Sequence, residues 1–280
     1  RVKRDERPFN YSALNNVGVA MALGEVVGLL NNDLEVISPD WLTGMVSLAL
    51  QPGVGAVGAR LLYPNNTIQH GGIILGIGGW AGHAHKGFPC GSLGYSARAS
   101  LIQGFSALTG ACLVIRKQTY EKLGGLNETE LQVACNDVEF CLRLRDAGFR
   151  NVWTPYADLY HYESATRGYE DTPEKRARFM RELAFVKERW PELFRHDPAY
   201  SPNLTLDHED FGLAWPPRIA DLSLPSSQDL TRTDKILTQI DRNRLGLEIG
   251  PSHRPVAPRQ SGFMVKILDH LSADGLREKY

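Results

Sequence analysis

Three short polar segments of this chain carry side chains that could do chemistry, and the first follows an apolar run. Asn31, Asn32 and Asp33 come directly after residues 26–30, and Glu35 stands close behind them. Carboxylates at the carboxyl end of a strand in an open α/β sheet lie where ligands usually bind. A hard divalent cation that bridges diphosphate oxygens needs few protein carboxylates, so Asp33 is a candidate ligand with Glu35 in support. A polar turn that simply ends a strand is the alternative for this segment.

The second segment, residues 136–139, opens a predicted helix and places Asp137 in its first turn. A hydroxyl is a poor nucleophile until it loses its proton, so a positioned carboxylate such as Asp137 can act as general base. Acidic residues also favour helix N-termini for electrostatic reasons alone, which leaves an ordinary helix start as the alternative.

The third segment contains His161 between two tyrosines, with Arg167 after it. A neutral imidazole can complete the coordination of a metal. A guanidinium such as that of Arg167 can neutralise charge on a departing diphosphate. A lone histidine between tyrosines is more often a packed residue. Three further histidines are predicted as loop residues, with a place on the acceptor side as the less favoured alternative: His70, His83 and His85.

The elements around these segments alternate between helices and short apolar strands, which predicts an α/β layered domain. Residues 26–30 predict a strand buried on both faces, and residues 54–62 a second strand. Helices are predicted over 136–147 and 173–190. Residues 78–99, rich in glycine, histidine and aromatic residues, predict a long loop over the site.

Composition limits the classes of protein. The 280 residues are 42% apolar and 22% charged, as in globular proteins with a sizeable core. With 31 basic and 32 acidic groups, we expect no nucleic-acid partner. The four cysteines show no metal-ligand spacing, so reduced cytosolic thiols are expected. No apolar run approaches the roughly 20 residues of a membrane span. We therefore expect a cytoplasmic location, at most peripheral at the inner face of the membrane.

Taken in order, the segments resemble the family 2 glycosyltransferases, which are inverting enzymes with the GT-A fold. Residues 15–25 resemble the helix before that family's metal motif, and residues 31–33 align with its aspartate-any-aspartate triplet. Residues 109–128 are similar to its acceptor-side strand and turn, and residues 136–143 match the segment with the catalytic base. The resemblance covers residues 8–192, and residues 31–33 and 156–167 look most like rhamnosyltransferase-like members.

The resemblance implies a GT-A-like (Rossmann-like) mixed sheet flanked by helices and a nucleoside-diphosphate sugar donor. It implies a divalent metal, Mg²⁺ or Mn²⁺, on Asp33 and His161, with Asp137 as base. The acceptor would be a glycan or lipid-linked glycan in bacterial surface polysaccharide (O-antigen or rhamnan-like) biosynthesis. Residues implied on the donor side are Asn31, Asn32, Glu35, Ser164 and Arg167, and residues implied on the acceptor side are Thr109, Gly110 and Asn136.

Departures from the family pattern leave a second hypothesis open. Asn31 stands where the family often has aspartate, and Asn136 replaces the usual glutamate before the base. Nothing before Phe9 matches the family's first strand, so we expect an N-terminally truncated domain that lacks part of the donor pocket. These features favour a catalytically degenerate module that binds sugar or acts as a scaffold in a larger polysaccharide-assembly protein.

The end of the chain has its own resemblance. Residues 247–251 and 266–269 look like the opening of a class I methyltransferase that uses S-adenosylmethionine, which would be bound by Glu248, Gly250 and Asp269. An unrelated strand-turn-strand tail is the alternative. The expected domains are a glycosyltransferase domain over 1–195, a linker or extension over 196–240 and a truncated methyltransferase-like start over 241–280. Methyl transfer as the main activity is disfavoured, since most of that fold is absent.

Overall fold

The computed structural model describes residues 4–162, 172–218, 237, 243, 246–249 and 264–268. The chain consists of two compact units, Arg1–Ile219 and Ala220–Tyr280.

The first unit alternates helices with mostly short strands. Its described helices are α1 (Tyr11–Met21), α2 (Trp41–Ala49), α3 (Lys117–Lys122), α4 (Asn136–Asp146), α5 (Pro173–Arg189) and α6 (Pro191–Arg195). Its described strands are β1 (Val26–Leu30), β2 (Leu34–Val36), β3 (Val54–Leu62), β4 (Ile68–His70), β5 (Ile73–Leu75), β6 (Ala81–His83), β7 (Gln103–Phe105), β8 (Cys112–Arg116) and β9 (Arg150–His161). Local capping starts two of the helices, because the side chains of Asn10 and Thr172 accept backbone hydrogen bonds at the first turns of α1 and α5.

Seven of these strands form one mixed sheet. Its main path runs β1-β8-β3-β9-β2, with β4 paired to β3 and β7 paired to β9. The pairing between β3 and β9 is parallel, and the others are antiparallel. Strands β5 and β6 form a separate hairpin. The predicted α/β class is confirmed.

Helices cover both faces of this sheet. On one face Met45 of α2 shares an apolar cluster with Val57 of β3. On the other face Val19 of α1 and Val138 of α4 share a cluster with Leu113 of β8. Strand β8 sends alternate side chains into the two cores, with Leu113 and Ile115 in one and Cys112 and Val114 in the other, as the two-residue period of a strand requires.

Strand β1 corrects one expectation. Val27 and Leu29 are buried, whereas Gly28 and Leu30 are exposed, so the prediction of a strand buried on both faces was wrong. Within the described sheet β1 lies at one end of the strand order, beside β8. A short apolar run looks the same in sequence whether one or both of its faces are covered.

Residues 196–218, assigned from sequence to a linker, pack into the first unit. Tyr200, Leu204 and Phe211 are buried and belong to the same apolar cluster as α5 and α6. Asp197 is buried as well, and its Oδ2 accepts a hydrogen bond of 2.7 Å from the Leu75 N–H. A segment rich in proline and aspartate thus contributes side chains to the core of the first unit, which its polar composition did not predict.

The second unit contains a parallel pair of strands, β10 (Gly246–Ile249) and β11 (Val265–Leu268). They coincide with the two strands expected there. Glu248 lies on β10, while Gly250 and Asp269 lie outside the described residues.

Two general expectations can be compared with the described residues. No described helix combines the length and apolarity that crossing a bilayer requires. The thiols of Cys90, Cys112, Cys135 and Cys141 are free.

Candidate active site

The turn after β1 carries Asp33 to the end of β9, where it meets His161. Strand β2 pairs antiparallel with β9, with Leu34 opposite His161. The Tyr162 N–H donates a hydrogen bond of 3.0 Å to the Asp33 carbonyl oxygen. His161 Nε2 and Asp33 Oδ1 are 3.2 Å apart, and the two side chains are only 11% and 13% exposed. The two residues predicted as metal ligands are therefore in contact.

The chemistry of this pair fits a divalent cation. Asp33 Oδ1 is buried and accepts no hydrogen bond from the described residues, although Nε2 lies beside it. The 3.2 Å between Asp33 Oδ1 and His161 Nε2 is a suitable spacing for two atoms that bind the same ion at distances of about 2.1 Å. In the described part of the chain no group of three or more histidine, cysteine, aspartate or glutamate side chains could hold a metal. The remaining ligands would be water and phosphate oxygens, as Mg²⁺ prefers.

The donor-side candidates are not all brought to this pair. Asn31 Nδ2 lies 3.4 Å from His161 Nε2 and borders it. The exposed Glu35 carboxylate instead accepts a hydrogen bond of 2.6 Å from the Tyr162 hydroxyl, a bond that raises the pKa of Tyr162. The remaining candidates are the exposed Asn32 and two residues outside the described part of the chain, Ser164 and Arg167.

Asp137 is held in the first turn of α4 by hydrogen-bond donors. Its Oδ2 accepts from the Gly110 N–H and its Oδ1 from the Val138 N–H, both at 2.8 Å, and the Thr109 side chain also bonds to it. Burial raises the pKa of the Asp137 carboxyl above its usual range, and these hydrogen bonds oppose the rise. A fixed carboxylate with a raised pKa is suited to accept a proton from a hydroxyl.

The acceptor-side candidates differ in their contacts. Thr109 and Gly110 bond to Asp137, whereas the Asn136 side chain is 4% exposed and donates to the Val133 carbonyl oxygen at 3.2 Å. Asn136 therefore supports the loop that leads into α4 rather than presenting its amide to solvent.

The Asp33 segment and the Asp137 segment meet at the end of the β1–β8 ladder. Beyond the last pair of this ladder the Asn31 N–H donates a hydrogen bond of 2.9 Å to the Ala111 carbonyl oxygen. The neighbouring residue, Gly110, holds Asp137. Ala111, which accepts the hydrogen bond from Asn31, therefore directly follows Gly110, which binds the candidate base Asp137.

Sequence reasoning missed Gln69 of β4. It is 5% exposed, and its Oε1 lies 2.7 Å from Nδ1 of His161. A glutamine in a short apolar strand carries no signal of its own, and only the pairing of β4 with β3 brings it to the end of β9.

The prediction that three further histidines lie in loops was wrong for two of them, because His70 ends β4 and His83 ends β6. The Nδ1 atoms of His70 and His83 are 2.7 Å apart, and burial lowers the pKa of both rings, that of His83 to about 4. Glu209, from the segment assigned to a linker, accepts a hydrogen bond from the His83 N–H at 3.1 Å. His85 is fully buried against the Phe211 ring.

Comparison with known proteins finds relatives that are several times longer than this chain. No family model matches it. It is 57% identical over 216 residues to the uncharacterized protein y4gI of Sinorhizobium fredii (77% of this chain, 24% of that protein). It is 38% identical over 234 residues to the O-antigen biosynthesis protein RfbC of Myxococcus xanthus (80% of this chain, 18% of that protein). The chain thus spans a quarter or less of the length of both relatives.

A shorter match and a solved structure complete the comparison. The chain is 27% identical over 82 residues to the N-acetylglucosaminyl-diphospho-decaprenol L-rhamnosyltransferase of Mycobacterium tuberculosis (29% of this chain, 26% of that protein). The crystal structure of GalNAc-T7 with UDP, GalNAc and Mn²⁺ superposes with a TM-score of 0.53 and 15% identity, over 74% of this chain and 40% of that chain. The GT-A fold is confirmed, and the chain is a glycosyltransferase-like protein related to RfbC and to the rhamnosyltransferase. These comparisons give no support to the methyltransferase prediction.

Proposed function

From the GT-A fold and the relationship to an O-antigen biosynthesis protein, we propose that this chain is part of an inverting glycosyltransferase that uses a nucleoside-diphosphate sugar. The observation that carries the proposal is the contact of Asp33 with His161 beside the backbone that holds Asp137. The two candidate metal ligands are in contact with each other, and Gly110, which binds the candidate base, directly precedes the residue that pairs with Asn31.

Each residue has a distinct part in the proposed reaction. A divalent cation on Asp33 and His161, when bound, supplies positive charge that stabilises the departing diphosphate. Asp137 accepts the proton of the acceptor hydroxyl while the oxygen of that hydroxyl attacks the anomeric carbon of the donor sugar. The bond from the anomeric carbon to the diphosphate breaks at the same time. Attack on the face opposite the leaving group inverts the anomeric configuration. Arg167 adds positive charge at the diphosphate. Asn31, which borders His161, makes a donor-side contact, while donor-side roles for Asn32, Glu35 and Ser164 stay predictions.

The substrates are proposed from the relatives. RfbC is named for O-antigen biosynthesis, and the mycobacterial relative for rhamnosyl transfer to a lipid-linked N-acetylglucosaminyl acceptor. We extend the proposal to a glycan or lipid-linked glycan acceptor in surface polysaccharide assembly, with peripheral action at the cytoplasmic face of the membrane. GalNAc-T7 was crystallised with Mn²⁺ and UDP, which supports Mn²⁺ or Mg²⁺ as the metal.

The test is sugar transfer by the complete protein carrying Asp137→Asn. The amide cannot take the proton, so transfer is expected to fall by at least about 100-fold, with the circular dichroism spectrum unchanged. Asp146→Asn is the matched control, because Asp146 lies at the other end of α4 and its Oδ2 accepts from the Trp190 indole N–H at 2.9 Å, a bond that an asparagine oxygen can keep. Wild-type rates in Asp137→Asn would rule out this residue as general base.

A second candidate function is a degenerate module that binds sugar or acts as a scaffold. It is favoured by Asn31 in the triplet and by the inward-facing Asn136. Calorimetry of the complete protein with a nucleoside diphosphate and Mn²⁺ separates the two functions. Metal-dependent binding supports the enzyme, and no binding at millimolar ligand supports the scaffold.

S-adenosylmethionine binding by the second unit stays a prediction. The parallel pair β10–β11 is compatible with the opening of a methyltransferase-like domain in the parent protein. Equilibrium dialysis of the complete protein against labelled S-adenosylmethionine would test it, with binding above background as the expected result.

A further inference from the structure

We propose that Gln69 is a positioning residue that holds the His161 ring with its proton on Nδ1, so that the Nε2 lone pair faces Asp33. The consequence for metal binding rests on the proposed function. The tautomer itself follows from the contacts of Gln69 and can be measured separately.

The Gln69 carboxamide contacts His161 at two points. Its Oε1 lies 2.7 Å from Nδ1, and its Nε2 donates to the His161 carbonyl oxygen at 3.5 Å. The reversed amide would place its oxygen against that carbonyl oxygen, which is repulsive. Because a carboxamide oxygen only accepts hydrogen bonds, Nδ1 must be the donor and carries the ring proton.

The surroundings of Nε2 agree with this assignment. Asp33 Oδ1 lies 3.2 Å from Nε2, yet it accepts no hydrogen bond from the described residues. The Asn31 amide nitrogen, a donor group, lies 3.4 Å from Nε2. A proton on Nε2 would face this donor and would occupy the space between the ring and the carboxylate. With the proton on Nδ1, Nε2 and Oδ1 instead present lone pairs to a shared position.

Gln69 is itself held rigidly enough for this role. The flanking residues Ile68 and His70 pair with Leu62 and Leu61 of β3, and the His70 ring is tied to His83. A side chain locked by packing and by its own strand orients a ligand better than one on an exposed loop does. Partners of this kind typically change metal affinity by about 10- to 100-fold when they are removed.

The direct test is the tautomer of His161 in the complete protein labelled with ¹⁵N in histidine. Long-range proton–nitrogen spectra distinguish Nδ1–H from Nε2–H, and the His161 signals are assigned by their absence in His161→Asn. The wild type is expected to show Nδ1–H. Gln69→Met, which has no strong acceptor, is expected to shift His161 towards Nε2–H. Gln69→Glu gives up the contact with the His161 carbonyl oxygen, but one carboxylate oxygen still accepts from Nδ1, so this variant is expected to keep Nδ1–H.

The second readout is Mn²⁺ affinity without substrate, measured by electron paramagnetic resonance. Gln69→Met is expected to weaken Mn²⁺ binding by about 10- to 100-fold, and Gln69→Glu, which adds a negative charge near the site, to bind Mn²⁺ at least as tightly as the wild type. Gln103→Met is the matched control, since the Gln103 side chain also makes two hydrogen bonds, both to Arg98. The control is expected to bind Mn²⁺ like the wild type, so a general loss of packing would not reproduce the effect.

The two readouts separate this inference from the proposed function. A wild type with the proton on Nε2, or a Gln69→Met variant with an unchanged tautomer, would overturn the role of Gln69. A wild type that shows Nδ1–H but binds no Mn²⁺ would contradict the metal site while leaving the orientation of His161 by Gln69 established.

Discussion

Glu182 accepts a hydrogen bond of 2.6 Å from the backbone N–H of Ala134. The same carboxylate, which is 3% exposed in the middle of α5, also accepts from the Val133 N–H at 3.2 Å. These residues lead into Cys135, whose φ of 60° turns the chain into α4. Helix α5 therefore holds the loop that sets the position of Asp137.

We predict that Glu182→Gln perturbs this loop and slows transfer. The glutamine amide keeps one oxygen that accepts a hydrogen bond, but its NH₂ group faces the second backbone N–H, which loses its acceptor. The expected loss in the free energy of unfolding is about 1–3 kcal/mol. Denaturant unfolding is expected to show this loss, and steady-state kinetics a lower kcat with a nearly unchanged donor KM. Glu192→Gln is the control, because Glu192 is exposed and pairs only with Arg195 among the described residues. Wild-type stability and kcat in Glu182→Gln would refute the prediction.

Asn31→Asp is expected to tighten Mn²⁺ binding. Asn31 borders His161 Nε2, and a carboxylate there would add a negative charge beside the cation. At an effective dielectric constant of about 20 such a charge contributes more than ~1.4 kcal/mol, or at least about tenfold in affinity. Asn32→Asp places the same charge on an exposed neighbour and serves as control. If calorimetry shows the same gain in Mn²⁺ affinity for both variants, the gain comes from long-range attraction and not from the position of residue 31 beside His161.

His85 predicts a dependence of stability on pH. Burial lowers the pKa of His85 to about 4, so the unfolded chain takes up this proton at higher pH than the folded chain. The contribution of His85 to stability is complete above its unfolded pKa of about 6.5 and is lost as the pH falls towards 4. Its ring nitrogens make no hydrogen bond to the described residues.

His85→Phe should therefore remove part of the acid sensitivity. Urea unfolding at pH 5 and at pH 8 measures the change, and the variant is expected to gain relative to the wild type at pH 5. Any strain that phenylalanine causes at the φ of 60° of this position is present at both pH values. It therefore drops out of the difference between the stabilities at pH 5 and pH 8. An identical pH profile for both proteins would contradict the prediction.

Phe211→Ala tests whether residues 196–218 stabilise the first unit. Phe211 packs against His85, Phe88 and Tyr95, so truncating its ring should cost about 3–5 kcal/mol in the free energy of unfolding. Trp215→Ala is the control in the same segment, because Trp215 is 93% exposed and should change stability by less than about 0.5 kcal/mol. Equal behaviour of the two variants would show that the segment does not pack there.

Much of the fold could be predicted from local sequence. Residues 26–30 and 54–62 coincide with β1 and β3, because apolar runs between polar turns specify strands without reference to distant partners. The start of α4 was predicted for the same reason, since acidic residues mark it locally. The three residues between β1 and β2, Asn31 to Asp33, bring Asp33 into contact with β9. That the Asp33 segment forms a metal motif was expected only from the resemblance.

The rest depends on contacts between distant parts of the chain. The open face of β1, the inward turn of Asn136 and the contact of Gln69 with His161 are properties of the assembled sheet. The packing of residues 196–218 was not predicted, because composition gives only the average polarity of a segment and does not show which individual residues are buried. A few buried anchors such as Asp197 and Phe211 are enough to fix such a segment.

In the proposed reaction Asp33 and His161 bind a diphosphate through a metal, while Asp137 acts on the acceptor. Isothermal titration calorimetry of UDP, GDP and dTDP with the complete protein, with and without Mn²⁺, tests it directly. At least one nucleotide should bind the wild type and Asp137→Asn with similar, Mn²⁺-dependent affinity, and Asp33→Asn should bind it at least about 10-fold more weakly. Asp33→Asn that binds the nucleotide as tightly as the wild type, or nucleotide binding that is independent of Mn²⁺, would contradict the proposed metal site.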